Sequence, residues 1–492
     1  MQFWLIFSLL ALTLAFVNAD ILVCPNSTIT VLQYNGAIPV GATALTNAPA
    51  NTTCTIKFDI PNGYAVKFLL SNRRGESDDV DILDSSGYSV YINSYEENLE
   101  IWFASGYAFM NIESKQGTLL FYATYQYVSL NTFAKKQFYT GSYFSTKLAP
   151  NTIYTISTKS ANDSVAVSVG KQHAYDYDAM ADIIYVYNGD NIVNSRMIGS
   201  LTNLLHDNNL INFNNKSMSF VCFYNQTNVK SSFYILGNDA STVSSLSNYT
   251  VTTIKNGSMI DTAGFSGTAF GSAITYICLD CTAFYIKYIT ISSYSTGYAE
   301  FRGLTPTHKL ESLIRYDANK DPYYQMPQII PTRMFTMNVV YADGYITVST
   351  DSNLWESKLN EVRSGVIISP NKWDPSLSPN LDFTLRDYGY YHNFNISLTK
   401  AVFGASTDNL QLLIGPNRGR PAVNNNYPNT TTSIGQVSAV GNYMTIKLDS
   451  KSSNTDVRIA FSIGPGFKSS NNIGTDAIVC CLAAIFFVDF PY

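Results

Sequence analysis

The sequence predicts an all-β chain built from several antiparallel sandwich modules in tandem. Short stretches in which apolar and polar residues alternate recur along the chain, and turn residues separate them. Charged residues make up only 14% of the 492 residues, whereas 35 are Tyr and 28 are Phe, a composition typical of sheets and not of long solvated helices. The chain is also too long for one core, since single domains usually contain roughly 100–200 residues.

The chain begins with an apolar run over residues 1–19 that ends in Val17-Asn18-Ala19, the small-residue pattern of a signal-peptide cleavage site. We therefore expect a secreted protein whose mature chain begins at Asp20. The alternative is an uncleaved membrane anchor.

Strand patterns occur along the chain after this apolar run. Residues 56–60 alternate, stop at Pro61-Asn62-Gly63 and resume over residues 66–70, which predicts a hairpin. Residues 165–169, 444–448 and 457–461 alternate in the same way. The best helix candidate is short and covers residues 354–362.

A weak internal repeat divides the chain into four modules. Each has opening strands, a central acidic and apolar strand that ends near Gly, and closing strands; the central strands begin at Asp79, Asp182 and Asp408, and the third module has a degraded centre. The predicted segments are a signal peptide (1–19), four modules (20–130, 137–240, 248–350 and 363–466) and a polar spacer with an apolar tail (469–492).

The cysteines fit an oxidising compartment. Cys24 and Cys54 are the natural first pair, and closing their loop contributes about 3–4 kcal/mol in the chain-entropy model. Cys278 and Cys281 form a CxxC in a strand-like stretch, which favours a local structural disulfide over a redox pair or free thiols. Cys222 is either a small buried side chain or available for intermolecular pairing.

Two further features indicate the cell exterior. Ser469, Ser470 and Asn471 precede the apolar tail and resemble the attachment site of a GPI anchor; the alternative is a last strand or a loosely packed tail. Asn-X-Ser/Thr glycosylation motifs occur at Asn26, Asn51, Asn162, Asn215, Asn225, Asn248, Asn256, Asn395 and Asn429.

Several of these patterns together resemble the CUB domain: the acidic central strand ending at Gly, the strand from Gly441, Asp456 leading into residues 457–461, and the early Cys24 and Cys54. Residues 20–128 are most similar to the CUB-like family of secreted nematode proteins associated with pathogen responses. The resemblance implies jelly-roll-like sandwiches, an extracellular setting and binding without catalysis.

Some CUB domains bind Ca²⁺ through Glu and Asp on loops at one edge. The resemblance makes Glu76, Asp79 and Asp81 in the first module, and Asp408, Asp449 and Asp456 in the fourth, the candidate ligands. Carboxylate oxygens suit Ca²⁺, and the alternative is that these are ordinary solvated acidic loops. No other cofactor is expected.

Patterns for enzymatic chemistry are missing from the sequence. The four histidines, His173, His206, His308 and His392, show no HExxH motif and no Cys at zinc-ligand spacing, and no GxSxG elbow occurs. The Gly-rich residues 264–271 lack the Lys of a phosphate-binding loop. With scattered basic residues and a formal net charge of −5, nucleic acid is not an expected partner.

Two aromatic clusters are ambiguous. Residues 121–127 and residues 388–392, which follow Arg386 and Asp387, are either core residues of a sandwich or platforms on which sugar rings stack. The leading hypothesis is a secreted or GPI-anchored binding protein that recognises an extracellular protein or glycan, with a defence role implied by the resemblance alone. The alternatives are a structural component of an extracellular coat or matrix and, less favoured, a secreted hydrolase.

Overall fold

The computed structural model describes residues 22–468, with gaps at residues 26, 88, 172–178, 206–209, 226–232, 293–295, 357–361 and 432–434. Strands dominate the described residues, and most strand pairs are antiparallel. No helix in this part of the chain is long and apolar enough to span a bilayer. The protein is therefore all-β, as predicted.

The first nine strands form sandwich 1. They are β1 (Asn35–Ile38), β2 (Thr46–Asn47), β3 (Thr52–Ile60), β4 (Tyr64–Arg73), β5 (Asp79–Asp84), β6 (Ser89–Tyr91), β7 (Tyr95–Phe103), β8 (Gly106–Ser114) and β9 (Leu120–Ser129). One sheet has the order β1-β9-β4-β7, with β2 also pairing β9, and the other has the order β3-β8-β5-β6. Phe58 of β3 and Phe68 of β4 meet edge to face in the core, with ring centroids 4.8 Å apart.

The predicted hairpin at residues 56–70 is wrong. Both strands exist, but β3 pairs β8 in one sheet, whereas β4 pairs β9 and β7 in the other. The turn at Gly63, with φ of 80°, is a corner that carries the chain between sheets. Both strands alternate between buried and exposed residues, and this pattern is the same whether consecutive strands pair or face each other across a core.

The next nine strands form sandwich 2, together with two short helices. They are β10 (Ala134–Tyr139), β11 (Tyr143–Ser145), β12 (Thr152–Ser157), β13 (Val165–Gly170), α1 (Ala179–Asp182), β14 (Ile184–Asn188), β15 (Met197–Ser200), α2 (Leu201–Leu205), β16 (Ile211–Asn212), β17 (Ser217–Cys222) and β18 (Tyr234–Asp239). The sheets have the orders β10-β12-β17-β14-β15 and β11-β18-β13-β16. The strands β10 and β12 are parallel, a departure from purely antiparallel pairing that is possible because β11 lies in the other sheet and separates them.

A helix and nine further strands follow. They are α3 (Ala240–Ser244), β19 (Asn248–Thr253), β20 (Met259–Gly267), β21 (Ser272–Ile277), β22 (Phe284–Ser292), β23 (Tyr298–Gly303), β24 (Ser312–Asp317), β25 (Gln328–Ile330), β26 (Met334–Val340) and β27 (Ala342–Ser349). The sheet β19-β21-β26-β23-β24 again begins with a parallel pair, β19 and β21.

The last eight strands are the fourth successive group, which we call sandwich 4 and which includes one short helix. They are β28 (Arg363–Ile368), α4 (Pro370–Trp373), β29 (Leu381–Arg386), β30 (His392–Val402), β31 (Asn409–Gly415), β32 (Val423–Pro428), β33 (Gln436–Gly441), β34 (Tyr443–Asp449) and β35 (Asp456–Ile463). The sheets have the orders β28-β35-β30-β33 and β29-β34-β31-β32. The predicted helix at residues 354–362 is only a 3-10 turn over Ser352–Glu356, and residues 357–361 lie outside the described residues.

The chain divides into two compact units. The first comprises Met1–Cys281, Ile291–Asn319 and Arg333–Gly344, and the second comprises Thr282–Thr290, Lys320–Thr332 and Tyr345–Tyr492. Within the first unit, a buried apolar cluster separate from the core of sandwich 1 connects sandwich 1 to sandwich 2. The indole of Trp102 on β7 stacks on the ring of Phe223, with centroids 5.3 Å apart.

Candidate functional site

The calcium candidates of sandwich 1 do not gather into one group. Glu76 is exposed, the carboxylate of Asp79 lies 3.7 Å from the guanidinium of Arg74, and Asp81 accepts a hydrogen bond from the amide of Asn111 (3.2 Å). Each carboxylate therefore has its own surroundings, and the structure lends no support to a calcium site at these residues.

The neighbouring residue Asp78 is a buried carboxylate that is not among the calcium candidates. Its side chain accepts hydrogen bonds from the backbone N–H groups of Lys115 (2.8 Å) and Gln116 (3.3 Å) and from the hydroxyl of Thr118 (2.5 Å). Burial by itself would raise the pKa of Asp78, but these donors hold the pKa below its usual value. Asp78 thus fastens the connection between β8 and β9.

In sandwich 4 the carboxylate of Asp408 has the same role. It is buried and accepts hydrogen bonds from the N–H groups of Gly404 (3.0 Å) and Ala405 (3.1 Å) and from the hydroxyl of Thr455 (2.6 Å). Burial opposes ionisation, yet these hydrogen bonds lower the pKa of Asp408 overall. The carboxylate therefore holds two loops of the sandwich together.

The other two candidates of sandwich 4 also lie apart. Asp456 is buried between three cations, with the Nζ of Lys400 at 2.5 Å, the Nε of Arg458 at 3.1 Å and the Nζ of Lys372 at 3.6 Å. Asp449 is exposed at the end of β34. Because protein cations surround Asp456 and protein donors bind Asp408, neither supports the calcium expectation.

The two buried carboxylates share a position relative to the central strands. Asp78 directly precedes β5, and Asp408 directly precedes β31, so each stands one residue before the central strand of its sandwich. The sequence pattern places the starts of these strands at Asp79 and Asp408, which are not equivalent positions, so the equivalence of Asp78 and Asp408 becomes visible only in the structure.

Among the described residues, one group of three side chains of the kinds that bind metals lies close together. The ligand atoms of Cys278, Asp280 and Cys281 lie within 4.8 Å of one another. Cys278 and Cys281 are joined as a disulfide, which leaves no thiolate for a metal.

The other cysteines are placed as follows. Cys24 and Cys54 form the predicted disulfide, with Cα atoms 5.7 Å apart. Cys222 is fully buried in the core of sandwich 2, which matches the expectation of a small buried side chain.

The glycosylation motifs differ in accessibility. Asn26 lies outside the described residues, as do Ser469, Ser470 and Asn471 of the predicted anchor site. The motif asparagines that are exposed are Asn51, Asn162, Asn225, Asn248 and Asn256, and those that are half-buried are Asn215, Asn395 and Asn429.

The first aromatic cluster belongs to the core. Phe121, Tyr125 and Tyr127 on β9 are buried in sandwich 1, and the hydroxyl of Tyr127 lies 2.9 Å from the carbonyl oxygen of Ile29 and 3.0 Å from that of Asp59. Burial raises the pKa of this hydroxyl above its usual range. These rings are therefore not a sugar platform.

Part of the second cluster lies on a surface at one end of sandwich 4, where Tyr388 is exposed and Tyr390 is half-buried, whereas His392 is buried. We call this surface the Tyr–Arg surface, and it consists of Arg386, Tyr388, Tyr390, Arg418, Arg420, Tyr443 and Lys468. Tyr388 has 80% of its surface exposed. The residues come from the β29–β30 connection, the β31–β32 connection, the start of β34 and the chain after β35.

Asp387 shapes the β29–β30 connection. Its Oδ1 accepts hydrogen bonds from the N–H groups of Gly389 (2.7 Å) and Tyr390 (3.1 Å), and its Oδ2 lies 2.9 Å from the Nε2 of His392. His392 is fully buried, and its Nδ1 lies 3.3 Å from the carbonyl oxygen of Gly464. Burial would raise the pKa of Asp387, but the contact with His392 and the two N–H groups keep it low.

Asn442, in the turn between β33 and β34, ties the neighbouring connections together. Its side-chain amide donates to the carbonyl oxygen of Tyr390 (2.7 Å), and its Oδ1 accepts from the N–H of Asn417 (3.1 Å). Its backbone carbonyl accepts from the N–H of Asp387 (2.8 Å). Asn417 in turn donates to the carbonyl oxygen of Asp387 (2.9 Å). The surface thus stands on loops that hold one another in place.

Close backbone packing explains a glycine in the same turn. A Cβ at Gly441 would lie 2.6 Å from the carbonyl oxygen of Gly415, so a larger residue would push the β31–β32 connection away.

Cations lie against several rings of this surface. The guanidinium carbon of Arg386 is 5.0 Å from the ring centroid of Tyr443 and 5.9 Å from that of Tyr388. The Nζ of Lys468 is 5.7 Å from the ring centroid of Tyr390. At these cation–π distances, the flat faces of the aromatic rings lie beside hydrogen-bond donors.

Of the remaining histidines, only His308 is among the described residues. His308 is in a 3-10 turn, where its Nδ1 is 2.9 Å from the hydroxyl of Thr305, and His173 and His206 lie outside the described residues.

The fold and the site together define an all-β chain of tandem sandwiches with an aromatic and basic surface whose loops are hydrogen-bonded to one another. Residues 19–131 match the family model of the CUB-like domain, so a CUB-like domain covers sandwich 1. No curated protein matches the chain.

Among solved structures, the chain is similar to the CUB1-EGF-CUB2 domain of human MASP-1/3, at 12% identity and a TM-score of 0.17, over 42% of this chain and 100% of that one. It is also similar to the CUB1-EGF-CUB2 domains of rat MASP-1, at 10% identity and a TM-score of 0.18, over 43% and 99%. A third similarity, to the full extracellular region of zebrafish Gpr126/Adgrg6, has 10% identity and a TM-score of 0.19, over 67% and 53%. Values this low carry no argument about function.

Proposed function

We propose that this chain is an extracellular, non-enzymatic recognition protein that binds carbohydrate at the Tyr–Arg surface. The observation that carries the proposal is the exposed ring of Tyr388, held beside Arg386 on loops that Asn442 ties together. Sugar rings stack on flat aromatic faces, while their hydroxyl groups accept hydrogen bonds from neighbouring donors.

Other features support the extracellular part of this proposal. The apolar leader over residues 1–19, the Cys24–Cys54 disulfide and the exposed glycosylation motifs all suit a secretory chain. The CUB-like match of sandwich 1 suits a binding role. We extend the proposal to a defence function, as in the nematode proteins that sandwich 1 resembles, and to a GPI anchor at residues 469–471.

A glycan array probed with the secreted full-length protein tests the carbohydrate proposal. We expect selective binding, and we expect Tyr388→Ala to weaken it by about tenfold or more, since one stacked aromatic contributes roughly 0.5–1.5 kcal/mol beyond the apolar area it buries. Tyr324→Ala, at a tyrosine that is 55% exposed but outside the surface, is the matched control and should bind normally.

Two outcomes would contradict the proposal. Absence of binding to any microbial or host glycan would favour the alternative of a coat or matrix component. Equal losses in Tyr388→Ala and Tyr324→Ala would show that the Tyr–Arg surface is not the binding site.

Mass spectrometry of the native protein, with and without phospholipase treatment, tests its processing. We expect a chain that begins at Asp20 and a mass that falls on release of the lipid. A protein that retains Tyr492 would refute the anchor.

A further inference from the structure

We propose that the Tyr–Arg surface selects acidic carbohydrates, those that carry sulfate or carboxylate groups, over neutral ones. This inference rests on the proposed function and names the ligand class of the same surface.

The first argument is local charge. Arg386, Arg418, Arg420 and Lys468 bring four cations to this end of sandwich 4, although the whole chain has a formal net charge of −5. The carboxylate in the β29–β30 connection, Asp387, has both oxygens engaged by protein donors. Both oxygens of Asp387 are thus occupied by protein hydrogen bonds, and in the described part of the chain no ion pair joins this carboxylate to a cation of the surface.

The second argument is that several cations elsewhere in sandwich 4 form ion pairs with carboxylates. Lys372, Lys400 and Arg458 surround Asp456, and Lys447 pairs with Asp382 at 3.4 Å. In contrast, within the described residues no ion pair joins Arg386, Arg418 or Arg420 to a carboxylate. Guanidinium groups form paired, charge-assisted hydrogen bonds with planar carboxylates and with sulfate-like oxyanions.

The third argument is position. Arg418 and Arg420 follow Asn417, which donates to the carbonyl oxygen of Asp387, so their connection lies against the one that carries Tyr388. A sugar ring on Tyr388 would place its acidic substituents beside these exposed guanidinium groups. Because hydrogen bonds already order the loops, little conformational entropy is lost on binding.

The test compares one sulfated, uronic-acid-containing oligosaccharide with the same oligosaccharide after desulfation and carboxyl reduction. Binding of the full-length protein to each is measured by calorimetry at low and at high NaCl concentration. We expect the acidic form to bind at least tenfold more tightly and its affinity to fall with added salt, which screens exposed charges.

Three variants locate the effect. The double variant R418A/R420A should bind the acidic oligosaccharide about tenfold or more weakly, since the loss of one hydrogen bond to a charged group weakens binding by roughly tenfold. R418K/R420K, which keeps the charge but loses the paired donors, should lose less affinity than R418A/R420A but more than the control variant. K447A/K451A, which removes two exposed cations outside the surface, should bind like the wild type.

The outcomes separate this inference from the proposed function. Equal binding of acidic and neutral forms, with a loss in Tyr388→Ala but none in R418A/R420A, would overturn the inference and leave carbohydrate binding intact. Acidic binding that R418A/R420A does not weaken would also overturn it. If neither form binds, and no glycan on the array binds either, the inference and the proposed function are both overturned.

Discussion

At the scale of single residues, the buried carboxylates are structural anchors. Asp78 and Asp408 each lie just before the central strand of a sandwich. Each accepts hydrogen bonds from backbone N–H groups and from a threonine hydroxyl. An ionised carboxylate accepts such hydrogen bonds better than a neutral side chain does. Folding therefore favours the ionised form, and the contribution of these residues to stability depends on pH.

We expect Asp408→Asn to lower the free energy of unfolding by about 1–3 kcal/mol at neutral pH, because a neutral amide oxygen accepts these hydrogen bonds less strongly than a carboxylate and the new NH2 group is buried. The pKa of Asp408 is lower in the folded than in the unfolded chain, so its carboxylate stabilises the fold above about pH 4, the unfolded value, and this stabilisation is lost as the pH falls through the folded pKa. Chemical denaturation across this range should show the difference between variant and wild type shrinking towards acid.

Asp449→Asn is the control for this experiment, since Asp449 is exposed at the end of β34. It should change stability little at any pH. A loss in Asp408→Asn that stays constant from neutral to acidic pH would contradict the assigned role.

At the scale of elements, the Tyr–Arg surface depends on the turn at Asn442. Residues from three connections meet there, although 52 positions separate Asn442 from Tyr390 and 25 separate it from Asn417. Loops held in this way present their side chains in one arrangement, which keeps the entropic cost of binding low.

We expect Asn442→Ala to lower the free energy of unfolding by about 1–3 kcal/mol. The variant removes two side-chain hydrogen bonds and leaves the carbonyl of Tyr390 and the N–H of Asn417 without this partner. Hydrogen exchange should accelerate in residues 387–391 and 416–421 while the strands of the sandwich keep their protection. Asn454→Ala, in an exposed turn of the same sandwich, should leave exchange in both segments unchanged. Uniform loss of protection throughout sandwich 4 would instead indicate that Asn442 supports the whole fold and not the surface.

The strands of the fold were easier to predict from the sequence than the contacts around this turn. Alternation in β34 and β35 predicted strands correctly, because burial of one sheet face favours a period of two. The strand β13 was also predicted correctly, although both of its faces are buried. Alternation does not reveal the partner of a strand, so the supposed hairpin of β3 and β4 was wrong. The sequence identifies the aromatic cluster at residues 388–392, but the exposure of Tyr388 and the hydrogen bond from Asn442 to Tyr390 depend on contacts between residues distant in sequence.

At the scale of the whole molecule, four successive groups of strands build the chain, and the module boundaries assigned from sequence stay predictions. Within the first unit, sandwiches 1 and 2 share a buried apolar cluster. Polar contacts accompany it: the N–H of Trp102 donates to the hydroxyl of Tyr224 (3.0 Å), and the hydroxyl of Tyr185 donates to the carbonyl oxygen of Trp102 (2.9 Å). An interface with this much burial predicts that the two sandwiches unfold together.

We expect Trp102→Ala to destabilise the first unit by about 3–5 kcal/mol, the usual range for truncation of a large buried aromatic. Trp102 belongs to the cluster between the sandwiches and not to the core of sandwich 1, so the variant should keep both sandwiches folded but uncouple them. Calorimetry should then resolve one transition of the wild-type unit into two. Tyr95→Ala, at a residue of β7 that is 57% exposed, should leave the single transition intact. If Trp102→Ala merely shifts one undivided transition to lower temperature, the cluster contributes stability without coupling the two sandwiches.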